Sequence, residues 1–177
     1  MDVHQAIRIR RSVRTYEDKP IDPGTYQKLL DALRFAPSAC NIQPWRFLLI
    51  EDKELRLKVA TAANQQMWMA EAAVTVVACG YPQDAYKTMG GYGNSVDIDL
   101  AIALDHLSLA AAAEGLGTCW IGAFDEKAVK EILQIPAEAK VVAMMPVGHP
   151  KSPKLNRPVT DQNRKNPQDI FHKNAYR

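Results

Sequence analysis

The spacing of apolar and polar positions changes period repeatedly along the chain. Val3, Ala6 and Ile7 fall on one face of a helix that Asp2 can cap and that runs to about residue 11. Val13 to Tyr16 reads as extended. Asp22-Pro23 pairs a cap residue with proline at the first helical position, and Tyr26, Leu29, Leu30 and Leu33 follow at helical spacing until Pro37. A strand is predicted over Trp45–Ile50. Asp52 starts a charged helix over Glu54–Ala63, which Asn64-Gln65-Gln66 breaks. Met67, Trp68 and Met69 then lead through a short helix into a strand over Val74–Gly80, their bulk more in keeping with core than with a binding box.

Residues 81–93 hold Pro82, Gly90, Gly91, Gly93, Tyr86 and Tyr92, the composition of a loop or lid. The longest helical pattern covers 94–114. Asn94 or Ser95 caps it, Asp97 and Asp99 favour its first turns, and Val96, Leu100, Ala103, Leu104 and Leu107 leave little of it polar. That makes it the central helix, with a partner subunit as a possible sharer of its apolar surface. His106 on it reads as a core or interface residue, since no second ligand lies one turn away. Gly115 and Gly117 end the helix. A strand over Thr118–Phe124, a helix capped by Asp125 and a buried strand over Lys140–Val147 follow. After Pro150 periodicity stops, and further prolines keep the remainder extended. Helices and strands mix without repeats or linkers, so the expectation is one domain over 1–177 of α+β or α/β class.

An apolar fraction of 47% and a charged fraction of 24% describe an ordinary globular chain. No apolar run is long enough to cross a bilayer, and no signal-peptide pattern opens the sequence, so no membrane partner and a cytoplasmic home are expected. Cys40, Cys79 and Cys119 are widely spaced and odd in number, which argues against a disulfide framework or a metal site. The net charge of +2 conceals an asymmetry: residues 1–16 carry +3 and residues 149–177 carry +5, with −6 between them. If the two ends meet they make one anion site. If they do not, they are two solvated tails. A basic protein that binds nucleic acid is a remote alternative; interspersed acids and the lack of an aromatic-basic repeat leave no nucleic-acid partner expected.

Two stretches carry the candidate chemistry. Arg8-Ile9-Arg10-Arg11-Ser12-Val13-Arg14 places four guanidiniums and a hydroxyl where a dianionic phosphate could be held bidentately, although a solvated basic helix end has the same composition. Pro37-Ser38-Ala39-Cys40-Asn41-Ile42-Gln43-Pro44 is a loop bracketed by prolines. Its amides and hydroxyl could read the edge of a planar heterocycle, or the loop could simply end the preceding helix. No dinucleotide fingerprint, phosphate loop, triad or metal cluster accompanies them.

Together with Trp120-Ile121-Gly122-Ala123-Phe124-Asp125, Pro146-Val147-Gly148-His149-Pro150 and Arg164-Lys165-Asn166-Pro167, these stretches resemble the FMN-dependent nitroreductase family over essentially the whole chain. The resemblance implies an α+β fold with a mixed sheet flanked by helices and an intertwined homodimer with FMN at the subunit interface. It implies that Arg10, Arg11 and Ser12 hold the FMN phosphate and ribityl chain, and that Arg14 tunes the ring's pyrimidine side electrostatically. Pro37, Ser38, Ala39 and Asn41 would come from the other subunit. Gln65 would lie near the flavin, Ile121 and Gly122 would approach its N5, and Arg164 or Lys165 would close on the phosphate. The tail 150–177 would wrap the partner. The activity implied is ping-pong transfer from NADH or NADPH to nitroaromatic, quinone or similar electron-poor acceptors, with no side-chain catalyst and no metal. Reductive dehalogenation or flavin cleavage in the same fold is the alternative. The short middle section leaves the acceptor pocket open, and Cys40 sits where relatives vary.

Overall fold

The computed structural model describes residues 1–160 and 164–176. Four strands form its sheet: β1 (Trp45–Ile50), β2 (Val74–Gly80), β3 (Gly117–Thr118) and β4 (Lys140–Gly148), in the order β1-β2-β4-β3, each pair antiparallel. Trp45 lies opposite Gly80 and Val74 opposite Val147, with one irregularity between Ala78 and Cys79. An isolated parallel bridge from Ser12 to Thr118 sets the N-terminal segment beside β3, next to a sheet whose own pairings are antiparallel. The helices are α1 (Val3–Ile9), α2 (Pro23–Arg34), α3 (Lys53–Ala62), α4 (Val96–Ala113), α5 (Glu126–Leu133) and the short α6 (Pro167–Ile170). The class is α+β.

All seven residues of β2 are buried, and the period of two divides them between two cores. Val74, Val76 and Ala78 meet the α4 residues Val96, Leu100 and Leu104 together with Leu29 and Leu33 of α2. Val77 and Cys79 face the other way, onto Val59 of α3 and Val129 of α5. Helices therefore cover both faces. Each fully buried leucine of α4 contributes roughly 1.5–3 kcal/mol, so α4 is the principal anchor of the first core. Its entry onto the sheet is tight: a Cβ on Gly80 would stand 2.3 Å from Val96 Cγ2.

Asp2, Asp22, Asp52 and Asp125 accept backbone N–H bonds from Gln5, Thr25, Leu55 and Ala128, so the four aspartate starts form by capping. Several expectations change. Helix α1 stops at Ile9, and only Ala6 turns inward; Val3 and Ile7 are 58% and 53% exposed. His106 is exposed, which removes the core reading. The strand expected over Thr118–Phe124 pairs only at Gly117–Thr118 and at Ile121, which exchanges both backbone bonds with Met144 at 2.8 and 3.0 Å. Trp120, between those pairings, is 44% exposed. Loop 81–93 is held at both ends, Tyr81 N–H to the Pro44 carbonyl at 3.0 Å and Ser95 N–H to the Tyr86 carbonyl at 2.9 Å, with a turn closed by Met89 N–H and the Gly93 carbonyl at 2.7 Å.

The C-terminal segment is not simply extended. It contains a 3-10 turn at Pro153–Leu155 as well as α6. As far as residue 160 it lies on its own chain's N-terminus and on the turn after α4: Lys151 N–H donates to Thr15 O at 3.2 Å and Val159 N–H to Arg8 O at 2.9 Å, while Asn156 Nδ2 donates to Leu116 O at 3.1 Å. The two basic ends of the sequence meet. Beyond them Phe171 is 75% exposed. The wrapping expected of 150–177 extends over residues 161–163 and 177, which lie outside the described residues.

Candidate active site

The meeting of the two chain ends builds a basic cleft. Helix α1 stops at Ile9 with Arg10 as its C-cap, and the chain then turns extended. Val13 and Tyr16 go inward, both 1% exposed, while Ser12 and Arg14 stay on the surface. Val13 N–H donates to Thr118 O at 2.9 Å, which fixes the segment just beyond the C-terminal end of α4. Arg10, Arg11, Ser12 and Arg14 line one side of a cleft of about 690 Å³. Lys154, Leu155, Arg157 and Arg164 line the other. No carboxylate lines the cleft among the described residues.

Such a cluster is self-repelling. Arg11 donates to the Arg8 and Arg10 carbonyls at 3.1 and 2.7 Å. Its pKa falls below the ordinary value because of partial burial and the neighbouring charges of Arg10, Arg164 and Arg157. An anion in the cleft would relieve that repulsion without a metal. The Cys119 thiol lies behind the segment and donates to the Trp120 carbonyl at 3.8 Å. Burial pushes its pKa up, partly offset by Arg14, Ser12 and Arg10. Arg14 has a further neighbour in Trp68, whose ring centroid is 6.0 Å from the guanidinium carbon.

Loop 37–44 lies at the opposite end of α4. Ala39 N–H donates to Asp99 Oδ1 at 3.0 Å, and Asp99 is in the first turns of that helix. Between Asp99 and Ala113 the helix rises roughly 20 Å. Within one chain the cleft and the loop are therefore on separate ends of a rigid rod. The loop is folded by its own polar groups. Gln43 N–H donates to Ser38 Oγ at 2.9 Å, and Gln43 Nε2 donates to Asn41 Oδ1 at 3.2 Å. Cys40, Asn41 and Gln43 all take positive φ, at 51°, 54° and 55°, a conformation that side chains rarely hold without such bonds. Asn41 Nδ2 and Gln43 Oε1 make no hydrogen bond among the described residues, so the loop presents a donor beside an acceptor.

Ile121 is 2% exposed and locked to Met144, whereas the following Gly122 is exposed. Gln65, in a left-handed turn at φ 60°, is brought near this segment: Gln66 Nε2 reaches the Ala123 carbonyl at 3.4 Å, and Asp125 N–H donates to Ala62 O at 2.9 Å. Of the expected residues, Arg10, Arg11, Ser12, Arg14 and Arg164 converge on one cleft. Lys165 is exposed and outside its lining. Pro37, Ser38, Ala39 and Asn41 are at the far end of α4. Lys154 and Arg157 line the cleft but escaped the sequence reading, because their place depends on a contact between residues some 140 positions apart; the charge excess of 149–177 was the only available signal. Asp99 was read as a helix-dipole residue, yet its carboxylate holds the loop.

Known proteins resemble this chain in sequence and share its fold. A solved nitroreductase family protein from Clostridium novyi NT superposes with a TM-score of 0.81 at 35% identity, over 86% of this chain and 87% of that one. The FMN reductase [NAD(P)H] of Bacillus subtilis is 26% identical over 185 residues, covering 96% of this chain and 74% of its own length. The 5,6-dimethylbenzimidazole synthase of Rhodobacter capsulatus is 29% identical over 175 residues, with 83% of each covered. The sequence matches the Nitroreductase family over residues 7–89 and 65–149, and on that ground the chain belongs to the Nitroreductase family.

Proposed function

We propose that the protein is an FMN-dependent oxidoreductase that works as a homodimer, with each site built from the basic cleft of one protomer and loop 37–44 of the other. The observation that carries this reading is the cleft itself, a cradle in which five arginines, a lysine and a hydroxyl converge from the two ends of the chain. Arg10, Arg11 and Ser12, with Arg157 and Arg164 opposite, suit a phosphate monoester. Arg14 would offset negative charge on the flavin ring. The free Asn41 amide and Gln43 oxygen suit the ring's alternating acceptors and N–H. Exposed Gly122 leaves backbone open to a planar ligand. When bound, FMN would supply two-electron transfer from NADH or NADPH to an electron-poor acceptor such as a nitroaromatic or quinone, the two substrates binding in turn. The name of the Bacillus subtilis relative supports both cofactor and donor.

The separation along α4 supports the homodimer, since one chain cannot bring its own loop to its own cleft. Exposed Val3 and Ile7 on α1 and Phe171 in the tail offer the apolar surface for a partner.

The test is a visible spectrum of the purified protein with added FMN, before and after anaerobic NADH or NADPH. A flavin spectrum that bleaches with either nucleotide is expected. A protein that stays colourless with FMN present would overturn the reading. The likeness to a 5,6-dimethylbenzimidazole synthase favours a second reading, flavin cleavage. On admitting air the flavin absorbance returns under the first reading. It stays lost, with a benzimidazole product, under the second.

A further inference from the structure

Asp99 is 2% exposed, and both of its carboxylate oxygens are taken by neutral donors. Ala39 N–H donates to Oδ1 at 3.0 Å and the Ser95 hydroxyl to Oδ2 at 2.7 Å. Ser95 is itself fully buried, and its N–H donates to the Tyr86 carbonyl at 2.9 Å. A chain of bonds thus runs from loop 81–93 through Ser95 and Asp99 to loop 37–44. Tyr81 N–H and the Pro44 carbonyl join the same two loops a second time.

A helix-stabilising role alone does not account for this. Ser95 occupies the cap position of α4, where a serine hydroxyl ordinarily accepts a bond from the helix N–H groups. Here it makes no such bond. Asn94 Oδ1 takes over, accepting from Val96 N–H at 3.1 Å, and the serine hydroxyl is given to Asp99 instead. The buried carboxylate is held by the first turn of α4, where the helix dipole favours it, and it is spent on a backbone N–H of a loop.

We infer that Asp99 is a positioning residue: it joins loops 37–44 and 81–93 into one body and so fixes the Asn41–Gln43 edge before a ligand arrives. The inference rests on the FMN reading for what that edge meets, but the joining of the loops is independent of it. By this geometry, loop 81–93 moves only together with the flavin-facing loop.

The experiment compares wild type with Asp99→Leu, Asp99→Asn and Leu104→Ala. Amide hydrogen exchange is read without ligand, and FMN affinity is read by titration. Asp99→Leu should lose protection at both Ala39 and Ser95 and raise the FMN Kd about tenfold, the scale of one lost charge-assisted bond. Asp99→Asn keeps an acceptor for Ala39 N–H and should restore both readouts to near wild type. Leu104→Ala should lower Tm while leaving FMN affinity unchanged, which separates positioning from general stability. Unchanged exchange at Ala39 in Asp99→Leu would overturn the inference even if FMN binding by wild type failed. Changed exchange with unchanged FMN affinity would overturn the positioning role. Should Asp99→Leu not fold, Ser95→Ala removes one of the two bonds and must shift exchange at both loops; if it shifts only one, the coupling is wrong.

Discussion

The two ends of α4 carry different chemistry. Its C-terminal end abuts a cleft walled by charge, with Arg10, Arg11 and Arg14 on one side and Lys154, Arg157 and Arg164 on the other. Its N-terminal end holds a loop whose shape is set by neutral hydrogen bonds and three positive-φ residues. Charge attracts an anion strongly but with little regard for what is attached to it. A rigid amide edge contributes less energy but tests the shape and hydrogen-bonding order of a ring. With roughly 20 Å of helix between them, one chain would own half of each site under the proposed function, and a symmetric pair would own two complete sites.

The largest expected effect lies at the charged end. Arg10→Ala with Arg11→Ala removes two guanidiniums from the cradle. At about 1.5–3 kcal/mol for each lost charged contact, the FMN Kd should rise at least a hundredfold. Tm without FMN should hold or increase, because the variant removes a partly desolvated guanidinium and relieves its repulsion by Arg164 and Arg157. FMN retained at wild-type affinity, measured by titration, would return the arginines to a solvated surface role.

A subunit-mixing experiment attacks the comparison directly. Ser38→Ala with Asn41→Ala disables the loop end, and the arginine double variant disables the cleft end. Each homodimer then lacks every site. If sites are shared across the two-fold, co-expressed chains regain one intact site in each heterodimer, about a quarter of wild-type flavin at random pairing. If cleft and loop of one chain served the same site, mixing would restore nothing. The readout is flavin absorbance per protein in the co-expressed mixture, rising to about half of wild type once the heterodimer is purified.

Legibility in the sequence followed the range of the interactions. Caps at Asp2, Asp22, Asp52 and Asp125 were readable because their partners are three residues away. Strand β4 was readable because its burial leaves a near-continuous apolar run over Val141–Val147. The Arg10–Arg14 half of the cleft was local and therefore visible. Arg157, which completes it, depends on Val159 pairing with Arg8, a contact no local pattern encodes. Asp99 satisfied a sufficient local explanation at the start of α4, which concealed its bond to Ala39, 60 positions away. Val3 and Ile7 obeyed the helical period but face outward, because the period identifies an apolar face without saying what covers it.

The smallest effect concerns what closes the cleft's far wall. Lys151 Nζ meets Glu71 Oε2 at 2.9 Å, and the same oxygen accepts from Tyr16 N–H at 3.3 Å, tying the C-terminal segment to the turn at Met67–Glu71. The Lys151 bond, aided by the Tyr16 N–H and opposed by burial, holds the Glu71 pKa below its ordinary 4.5. A depressed carboxylate stabilises the fold above its unfolded value and loses that stabilisation as pH falls through the lower folded value. Both side chains are about half exposed, so solvent screening limits the pair to about 0.5 kcal/mol. Glu71→Gln should therefore lower Tm slightly at pH 7, and its deficit against wild type should shrink below pH 4.5 and vanish in stronger acid. A deficit that persists unchanged into acid would mean that the lost contribution is packing of the turn rather than charge. A fall in FMN affinity much larger than the fall in stability would mean that the charged end needs its wall held as firmly as Asp99 holds the loop at the other.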